Sequence, residues 1–433
     1  MEISGWGRYP WVNASIASPS DSAACQKLLQ GNSEWIARGL GRSYGDSSLS
    51  DQVISTSRME FFRSFDSSSG ELVCDSGVSL LEILNTFVPQ GWFLPVSPGT
   101  RYVTVGGAIA ADVHGKNHHI DGSFCDHVQR IELLLGNSEK VIISREAYPE
   151  LFFATCGGMG LTGIILSACF RLKPIQSSQI IETAIKAPNL DSVLDGFEQN
   201  IQSTYSVAWI DCLAKGKDLG RSLLMLGEHA KTGPLSVSDK KTLGIPMDAP
   251  DLLLNPLSIK LFNELYYAKA SDSNRERQIG FETYFYPLDQ IRDWNRLYGK
   301  SGFLQYQFVI PLSAGREGLR AILDCISNSG KGSFLAVLKT FGKSNQNDLS
   351  FPIEGYTLAL DFKVDDKVFP LLSRLDAMVL DLGGRLYLAK DARMSESTFK
   401  NSYPRWEHFQ EVRANYHARG KFSSIQSKRL GLD

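Results

Sequence analysis

Two glycine-rich stretches in the first third of the chain carry groups suited to an anionic ligand. The first, Arg38–Asp46 (RGLGRSYGD), alternates glycines with an arginine and a serine. The second, Pro98–Asn117 (PGTRYVTVGGAIAADVHGKN), holds four glycines and a histidine and is almost uncharged between its ends. Backbone N–H groups, a guanidinium and hydroxyls are what a pyrophosphate needs. The pair predicts a phosphate-bearing cofactor held mostly by main chain, although the first stretch alone fits a tight turn with a surface arginine equally well.

Polar side chains on two later strands suggest a place for a hydroxylated substrate. In GFLQYQFVIP, strand alternation puts Gln305 and Gln307 on one face. In GGRLYLAKDAR, Lys390 follows an apolar strand and is positioned to bind or deprotonate a hydroxyl in a cleft. The alternatives are a solvated sheet face for the two glutamines and an ion pair with Asp391 for the lysine.

Four histidines cluster within fourteen residues, at positions His114, His118, His119 and His127. They lack the HExxH pattern, and neighbouring Gly115 disfavours a regular helix, so we predict no metal site. His114 is expected to face a cofactor ring, with a hydrogen-bonded, partly buried histidine as the alternative.

The segment Gly158–Gly163 (GMGLTG) matches the dinucleotide pattern GxGxxG, but its context is wrong. A Rossmann loop leaves a strand and opens a helix. Here a helical pattern (PELFFATC) precedes the loop and a strand pattern (IILSACFRL) follows it. We therefore exclude NAD binding at this segment.

Composition narrows the class of protein. The 433 residues include 45 basic and 47 acidic side chains, which gives no argument for nucleic acid as a partner. Seven cysteines without a CxxC pair argue against a disulfide framework and for a reducing compartment. Short strands alternate with helical patterns, which predicts an α+β or α/β fold rich in glycine turns. A boundary is expected at KPIQSS, so residues 1–176 form a first domain and 177–384 a second, mixed-sheet domain.

Two segments bear on membrane contact. Leu151–Phe170 is uncharged and long enough to span a bilayer, but its glycines favour helix, loop and buried strand. Residues 233–268 fit a long loop followed by a core helix; a mobile lid or an apolar surface that meets lipid is the alternative. The first residues show no signal-peptide pattern, so a cytoplasmic protein, or one peripheral to the inner membrane, is expected.

Long collinear motifs carry a family resemblance. RGLGRSYGD, LPVSPGTRYVTVGGAIAADVHGKNHH and ELFFATCGGMGLTGII resemble the FAD-binding domain of the vanillyl-alcohol-oxidase-type flavoproteins, also called PCMH-type. The similarity continues through SVAWIDC, FYPLDQIRDWNRLYGKSGFLQYQFVIP, LSFPIEGY and GGRLYLAKDAR. It implies an α+β fold of two domains, with a mixed-sheet substrate domain, in which residues 385–433 return to the FAD domain.

The resemblance implies the following site residues. The FAD contacts are Ala37, Arg38, Gly39, Leu40, Gly41, Arg42, Ser43, Tyr44, Gly45, Asp46, Ser47, Gly99, Thr104, Val105, Gly106, Gly107, Ala111, Asp112, Val113, His114, Ile164 and Tyr387. The substrate side is Lys116, Trp209, Phe285, Gln305, Gln307, Ala359 and Lys390, with Lys390, His114 and Gln307 as the catalytic set. Covalent relatives attach FAD through a histidine where this chain has Arg42, so non-covalent FAD is expected.

The later motifs are similar to family members that oxidise the 2′-hydroxyl of a polyprenylphosphoryl-β-D-ribose to the 2′-keto sugar, the first half of an epimerisation to arabinose for cell-wall arabinan. This resemblance implies a separate NAD(P)H-dependent reductase, with a quinone as a candidate electron acceptor. Ala359, Thr357 and Phe285 stand where such a member has cysteine, asparagine and tyrosine, so sugar and chain length stay open. The alternatives are oxidation of a soluble polyol or sugar lactone and a non-catalytic protein that kept the fold.

Overall fold

The computed structural model describes residues 1–238, 243–250, 255–270, 275–333 and 335–433. The helices are α1 Ser22–Leu29, α2 Leu80–Phe87, α3 Val105–Ala110, α4 His118–Asp121, α5 Pro149–Thr155, α6 Leu190–Gln199, α7 Pro256–Lys269, α8 Phe281–Phe285, α9 Gly315–Ser329, α10 Val368–Asp381, α11 Glu396–Ser402, α12 Trp406–Asn415 and α13 Ile425–Arg429. The strands are β1 Glu2–Ser4, β2 Trp11–Asn13, β3 Ser15–Ala17, β4 Ile36–Arg38, β5 Gln52–Ser55, β6 Phe62–Asp66, β7 Glu71–Asp75, β8 Trp92–Phe93, β9 Val128–Leu134, β10 Lys140–Ser144, β11 Ile164–Arg171, β12 Lys173–Pro174, β13 Gln179–Ala187, β14 Tyr205–Ile210, β15 Ser222–His229, β16 Leu243–Gly244, β17 Arg275–Gly280, β18 Ile291–Arg292, β19 Phe303–Pro311, β20 Ala336–Phe341, β21 Gly355–Lys363 and β22 Arg385–Leu386.

The first part of the chain is built on an antiparallel sheet of order β10-β9-β11-β7-β6, with a small parallel sheet β3-β5-β4 beside it. Strand β11 is buried at every position but its last, which explains why its sequence is a continuous apolar run. The uncharged stretch 151–170 is helix α5, a glycine turn and this strand, as predicted. In the described ranges no helix is long and apolar enough to cross a bilayer.

A large antiparallel sheet of order β17-β13-β15-β14-β20-β21-β19-β22 dominates the second part. Cross-strand register aligns Gln307, Ala359, Val337 and Trp209 in one row on one face. The row on one side of it holds Gln305 and Asp361, and the row on the other side holds Val309, Thr357 and Lys339. Because side chains two residues apart share a face, all three rows point the same way. The fold is therefore α+β, as predicted; the large sheet of the second part is antiparallel throughout, and the parallel pairing in that part is between β16 and β18.

The chain changes from one sheet to the other between β11, which ends at Arg171, and β13, which begins at Gln179. We propose the domain boundary between 176 and 177 on this basis, and a return to the first domain near residue 385. That return rests on contacts: the amide of Tyr44 donates to the Ala389 carbonyl (3.0 Å). Arg429 reaches Asp46 and Asp391, both at 2.8 Å.

Helix α7 corrects one expectation. The segment 233–268 was expected to end in a core helix, but Leu257, Leu261 and Leu265 are 80%, 61% and 62% exposed. Their spacing of four residues puts them on one stripe of the helix. The other side of the helix is anchored, because Asn263 is buried and donates to the Asp211 carboxylate (2.7 Å). Residues 239–242 and 251–254 of this segment lie outside the described residues.

Candidate active site

One cavity of about 440 Å³ brings both glycine-rich stretches together with the large sheet. Its wall includes the loop at 37–44, the start of α3 and the sheet rows of Gln305 and Gln307. The two families of candidate residues, those for a cofactor and those for a substrate, thus face the same space.

The first glycine-rich loop presents unused backbone donors to this cavity. Within the described part of the chain, the amides of Leu40, Gly41, Arg42 and Ser43 donate no hydrogen bond. Gly41 has a positive φ of 63°, a conformation that occurs in loops whose successive N–H groups bind an anion. The Arg42 Nε atom is also buried without a partner. This donor set fits the pyrophosphate of a dinucleotide cofactor.

The glycines themselves have a different role from the one expected. A Cβ on Gly39 would lie 2.2 Å from the Thr104 hydroxyl, and one on Gly45 would lie 1.8 Å from the Asp391 carbonyl oxygen. These glycines are therefore required for packing one loop against its neighbours, not for a ligand's close approach. Among the glycines of the two stretches, Gly99 alone has no atom within 4 Å of an added Cβ. The space beside Gly99 belongs to the cavity.

The second stretch does not supply free amides at its centre, contrary to the prediction. The amides of Val105 and Gly106 donate to carbonyls of Val78 and Ser76, at 2.8 Å each. Gly107 donates to the Thr104 hydroxyl, which caps helix α3. This stretch therefore shapes the cavity wall. Among the described residues that line the cavity near it, Ser76 Oγ and His114 Nδ1 are buried without a hydrogen-bond partner. Orphaned donors and acceptors along one cavity are what a bound FAD would satisfy.

The second ring nitrogen of His114, Nε2, has a partner on the large sheet. Its Nε2 lies 3.0 Å from the Gln307 amide nitrogen, and the same amide donates to the Thr357 hydroxyl (3.3 Å). Since Gln307 donates, His114 Nε2 is the acceptor and Nδ1 carries the hydrogen. Burial, followed by repulsion from Lys339, lowers the pKa of His114 well below its ordinary value. The imidazole is therefore neutral, and its free N–H is available to a cofactor.

The other three histidines have separate partners. His118 Nδ1 accepts from the Gly342 amide (3.1 Å), His119 bonds the Ser203 carbonyl and His127 bonds the Asp121 carbonyl, both at 2.8 Å. The four rings do not converge on a common centre.

Gln305 is positioned by a carboxyl group that sequence reasoning did not single out. Its amide donates to Asp361 Oδ1 (2.6 Å), and the Tyr298 hydroxyl donates to Oδ2 (3.2 Å). Burial raises the pKa of Asp361 to about 7. The solvated-face alternative for the two glutamines is wrong, since both line the cavity and Gln307 is only 5% exposed.

Lys390 faces the cavity and is not paired with Asp391. Its Nζ lies 3.7 Å from the centre of the Tyr44 ring, while Asp391 binds Arg429 instead. Burial lowers the pKa of Lys390 to about 7, partly offset by the nearby Asp361 carboxylate. The amine is thus able to take up a proton near neutral pH.

The cavity brings together most of the residues that the resemblance implied. Those on its wall are Ala37, Arg38, Gly39, Leu40, Gly41, Arg42, Ser43, Tyr44, Ser47, Gly99, Thr104, Gly106, Gly107, Ala111, Val113, His114, Gln305, Gln307, Ala359, Tyr387 and Lys390. Tyr387, from the C-terminal segment, donates to the Ala111 carbonyl (2.9 Å), which ties that segment to the end of α3.

Eight predicted contacts lie off the cavity wall. They are Gly45, Asp46, Val105, Asp112, Ile164, Lys116, Trp209 and Phe285. Asp46 is bound to Arg429, and Ile164 packs in the core while its neighbour Ile165 reaches the wall. Gly45 and Val105 are likewise engaged with protein backbone.

Three predicted substrate contacts, Lys116, Phe285 and Trp209, lie off the cavity wall, and each packs against another part of the protein. Lys116 donates to the Tyr284 carbonyl and lies over the Tyr284 ring. Phe285 packs against Phe93, with ring centres 5.3 Å apart. Trp209 lies in the row of Val337 but its ring is covered by Tyr266 at 4.8 Å. These residues stand behind or beside the cavity wall.

Lys339 is the main wall residue that sequence reasoning missed. A signal existed in SFLAVLKTFG, where Val337 and Lys339 alternate with the buried Ala336 and Leu338. A lysine in that pattern ordinarily faces solvent, so the strand alone does not reveal a cavity.

Comparisons with known proteins agree with this geometry. Residues 15–144 match the family model of an FAD binding domain. The chain is 40% identical, over 99% of its length and 97% of the relative, to decaprenylphosphoryl-β-D-ribose oxidase of Mycolicibacterium smegmatis. It is 30% identical, over 82% of its length, to the whole of an uncharacterized Streptomyces coelicolor protein. Cytokinin dehydrogenase 2 of Arabidopsis thaliana is 30% identical over 35% of this chain and 32% of the relative. The chain therefore belongs to the FAD-dependent oxidoreductase family that includes decaprenylphosphoryl-β-D-ribose oxidase.

Proposed function

We propose that this protein oxidises the 2′-hydroxyl of a polyprenylphosphoryl-β-D-ribose to the 2′-keto sugar, with FAD as oxidant. The observation that carries the proposal is a single cavity with free amides at Leu40–Ser43 and with Gln307 and Lys390 on its wall. The near full-length relative named above supports the choice of substrate.

Each residue has a task in that reaction. FAD bound in the cavity supplies the acceptor for the hydride that leaves the sugar carbon. Lys390, as the neutral amine, takes the proton that the hydroxyl loses. Gln307 orients the sugar and, through its amide, fixes the tautomer of His114. The neutral His114 offers its buried Nδ1–H to the cofactor. Hydride and proton together account for the conversion of alcohol to ketone.

The proposal includes a second protein. The loop at 158–163 lies between the C-terminus of helix α5 and the N-terminus of strand β11, the reverse of a Rossmann turn. Reduction of the keto sugar to the arabinose form is therefore assigned to a separate NAD(P)H-dependent subunit. A quinone is the acceptor that we propose for reoxidising the flavin.

Anaerobic mixing tests the function directly. We expect polyprenylphosphoryl ribose to bleach the flavin of the holoenzyme, and free alditols or sugar lactones to leave it yellow. Bleaching by the soluble sugars alone would instead assign the chain to a soluble polyol or lactone. FAD-free protein after purification would point to a non-catalytic member of the family.

FAD is expected to be bound without a covalent link, since Arg42 stands at the attachment position. Acid precipitation should leave the yellow colour in the supernatant and a colourless pellet. Arg42→His protein, treated in parallel, tests whether this position alone restores attachment. A yellow pellet from the unsubstituted protein would contradict the prediction.

The bleaching rate is expected to rise with pH through about 7, because only the neutral Lys390 accepts a proton and burial lowers its pKa to about 7. The groups that act on this amine are Asp361, Lys339 and the Tyr44 ring. Single-turnover rates between pH 5.5 and pH 9, at about half-unit steps, would show this limb. A rate that falls over the same range would mean that protonated Lys390 only binds the hydroxyl.

We also propose that the apolar stripe of α7 meets a lipid surface. Leu257, Leu261 and Leu265 form the stripe, and Lys260 and Lys269 lie on the same helix. A lipid-linked substrate gives this surface a reason to be apolar. The two basic side chains suit an anionic headgroup region.

Flotation with phospholipid vesicles containing polyprenyl phosphate checks this. Leu261→Asp is expected to lower the floated fraction severalfold. Ile142→Asp is the matched control, because Ile142 is also 61% exposed but lies on the edge strand β10. Equal flotation of the two variants, or none by the parent protein, would exclude α7 as the lipid contact.

A further inference from the structure

Three lysines, Lys339, Lys116 and Lys390, lie in or beside the cavity wall, and we call them the lysine group. Lys339 lies on β20 in the row of Thr357 and Val309, next to the row of Gln307. Lys339 and Lys390 line the cavity, and Lys116 lies behind the wall. The charge of Lys339 acts on both of the others and on His114, and lowers the pKa of each.

No member of the lysine group has an ion pair among the described residues. Lys116 is held by the Tyr284 carbonyl and ring. Lys390 lies on the ring of Tyr44. The Lys339 ammonium donates no hydrogen bond within the described ranges and lies 5.7 Å from the centre of the Phe341 ring.

The nearby carboxylates are already engaged. Glu182, which acts on Lys116, pairs with Arg277 at 2.6 Å. Asp361, which acts on Lys390, accepts from Gln305 and Tyr298. Burial lowers the pKa of Lys116 to about 7, of Lys339 to about 8 and of Lys390 to about 7. When protonated, the three lysines are like charges in a desolvated place, and Glu182 and Asp361, which also bind Arg277, Gln305 and Tyr298, offset only part of the cost; a bound anion would offset more of it.

The cofactor's pyrophosphate has another place to bind, at the free amides of residues 40–43. The anion for the lysine group is therefore expected to come from the other ligand. In a ribosyl phosphodiester, the carbon that bears the phosphate is bonded to the carbon that bears the 2′-hydroxyl. When that hydroxyl contacts Lys390, the phosphate is therefore attached to the adjacent ring carbon.

We infer that Lys339 is the principal cation of a phosphate subsite, which binds the phosphodiester of the substrate while Lys390 engages the neighbouring hydroxyl. This inference rests on the proposed function and adds a residue that specifies a sugar phosphate over a free sugar. A neutral alditol would leave Lys339 without a counter-ion, which also explains why soluble polyols should be poor substrates.

The test uses the holoenzyme with farnesyl phosphate as probe, farnesol as its neutral counterpart and inorganic phosphate as a lipid-free anion, each titrated by calorimetry. A charge-assisted contact predicts that farnesyl phosphate binds about ten- to a hundredfold more tightly than farnesol. Lys339→Gln should lose most of this difference and Lys339→Arg should keep it. Lys343→Gln, an exposed lysine just beyond β20, is the matched control and should behave as the parent.

With polyprenylphosphoryl ribose, Lys339→Gln should raise KM about ten- to a hundredfold and change kcat little, while the FAD content stays that of the parent. Competition by inorganic phosphate should weaken in the same variant. Three results would overturn the subsite: farnesyl phosphate and farnesol binding equally to the parent, a Lys339→Gln titration identical to the parent's, or loss of FAD from Lys339→Gln. The last would assign the lysine to the cofactor's phosphates.

Failure of the subsite and failure of the proposed function are separable. If the parent binds farnesyl phosphate through Lys339 but no ribosyl lipid bleaches its flavin, the reaction is misassigned and the subsite stands. If ribosyl lipid bleaches the flavin of Lys339→Gln at the parent's KM, the reaction stands and the subsite is rejected.

Discussion

Lys390→Met protein is expected to remain yellow but to lose flavin bleaching by a factor of about 10² to 10⁴, the usual contribution of a positioned general base. Methionine fills similar space against the Tyr44 ring and cannot accept a proton. The amine faces the same cavity as Gln307, and burial, which lowers its pKa to about 7, keeps part of it neutral near pH 7. The loss should appear in the rate of bleaching more than in binding, because the proton is transferred during the chemical step.

Stopped-flow absorbance under anaerobic conditions, at saturating polyprenylphosphoryl ribose, measures this effect. Lys343→Met is the control for loss of a lysine charge, since Lys343 is exposed. FAD content and circular dichroism of both variants should equal those of the parent. A Lys390→Met rate within threefold of the parent would remove Lys390 from the catalytic set and leave proton transfer to water or to another group.

Asp112→Ala is expected to give the largest loss of stability among single changes near the site. The Asp112 carboxylate is fully buried at the end of α3, beside Ala111 and Val113 of the cavity wall. It accepts four hydrogen bonds, from the Cys125 amide (3.0 Å) and from Asn345 (2.8 Å), Asn347 (2.8 Å) and Ser350 (2.6 Å). The last three donors belong to the connection between β20 and β21. One carboxylate therefore connects the end of α3, in the first part of the chain, to a loop of the large sheet.

Each buried donor left without an acceptor costs about 1–3 kcal/mol, so a total near 3–5 kcal/mol is expected after some rehydration. Urea unfolding followed by flavin fluorescence and by circular dichroism would measure it, together with a weaker Kd for FAD. Ser350→Ala, which removes one donor and leaves the carboxylate with three, should cost about 1 kcal/mol. If Asp112→Ala is no worse than Ser350→Ala, the carboxylate does not join the two parts.

Much of this site is readable from local sequence. Alternation in GFLQYQFVIP places Gln305 and Gln307 on one face, and that depends only on the two-residue period of a strand. The reversed order of helix and strand around 158–163 likewise follows from short-range patterns. Lys390, four residues beyond the end of β22, lies on the cavity wall.

The features that could not be predicted from local sequence depend on contacts between residues far apart in the chain. Lys339 faces the cavity because register pairs it with Thr357 on the adjacent strand β21, and register across a sheet is not visible in one strand. Gly39 and Gly45 are required because Thr104 and Asp391 occupy the space beside them. Helix α7 was predicted as a core helix because an apolar stripe has the same sequence pattern whether it packs in a core or stays exposed.

The contacts of the C-terminal segment with the first glycine-rich loop have a consequence for biosynthesis. The Tyr44 amide donates to the Ala389 carbonyl, and Asp46 forms an ion pair with Arg429, which lies 383 residues later in the chain. A nascent chain on the ribosome therefore cannot complete the cofactor loop until these last residues have emerged. We therefore expect the loop to become ready for FAD only after the segment from Tyr387 to Arg429 has been synthesised.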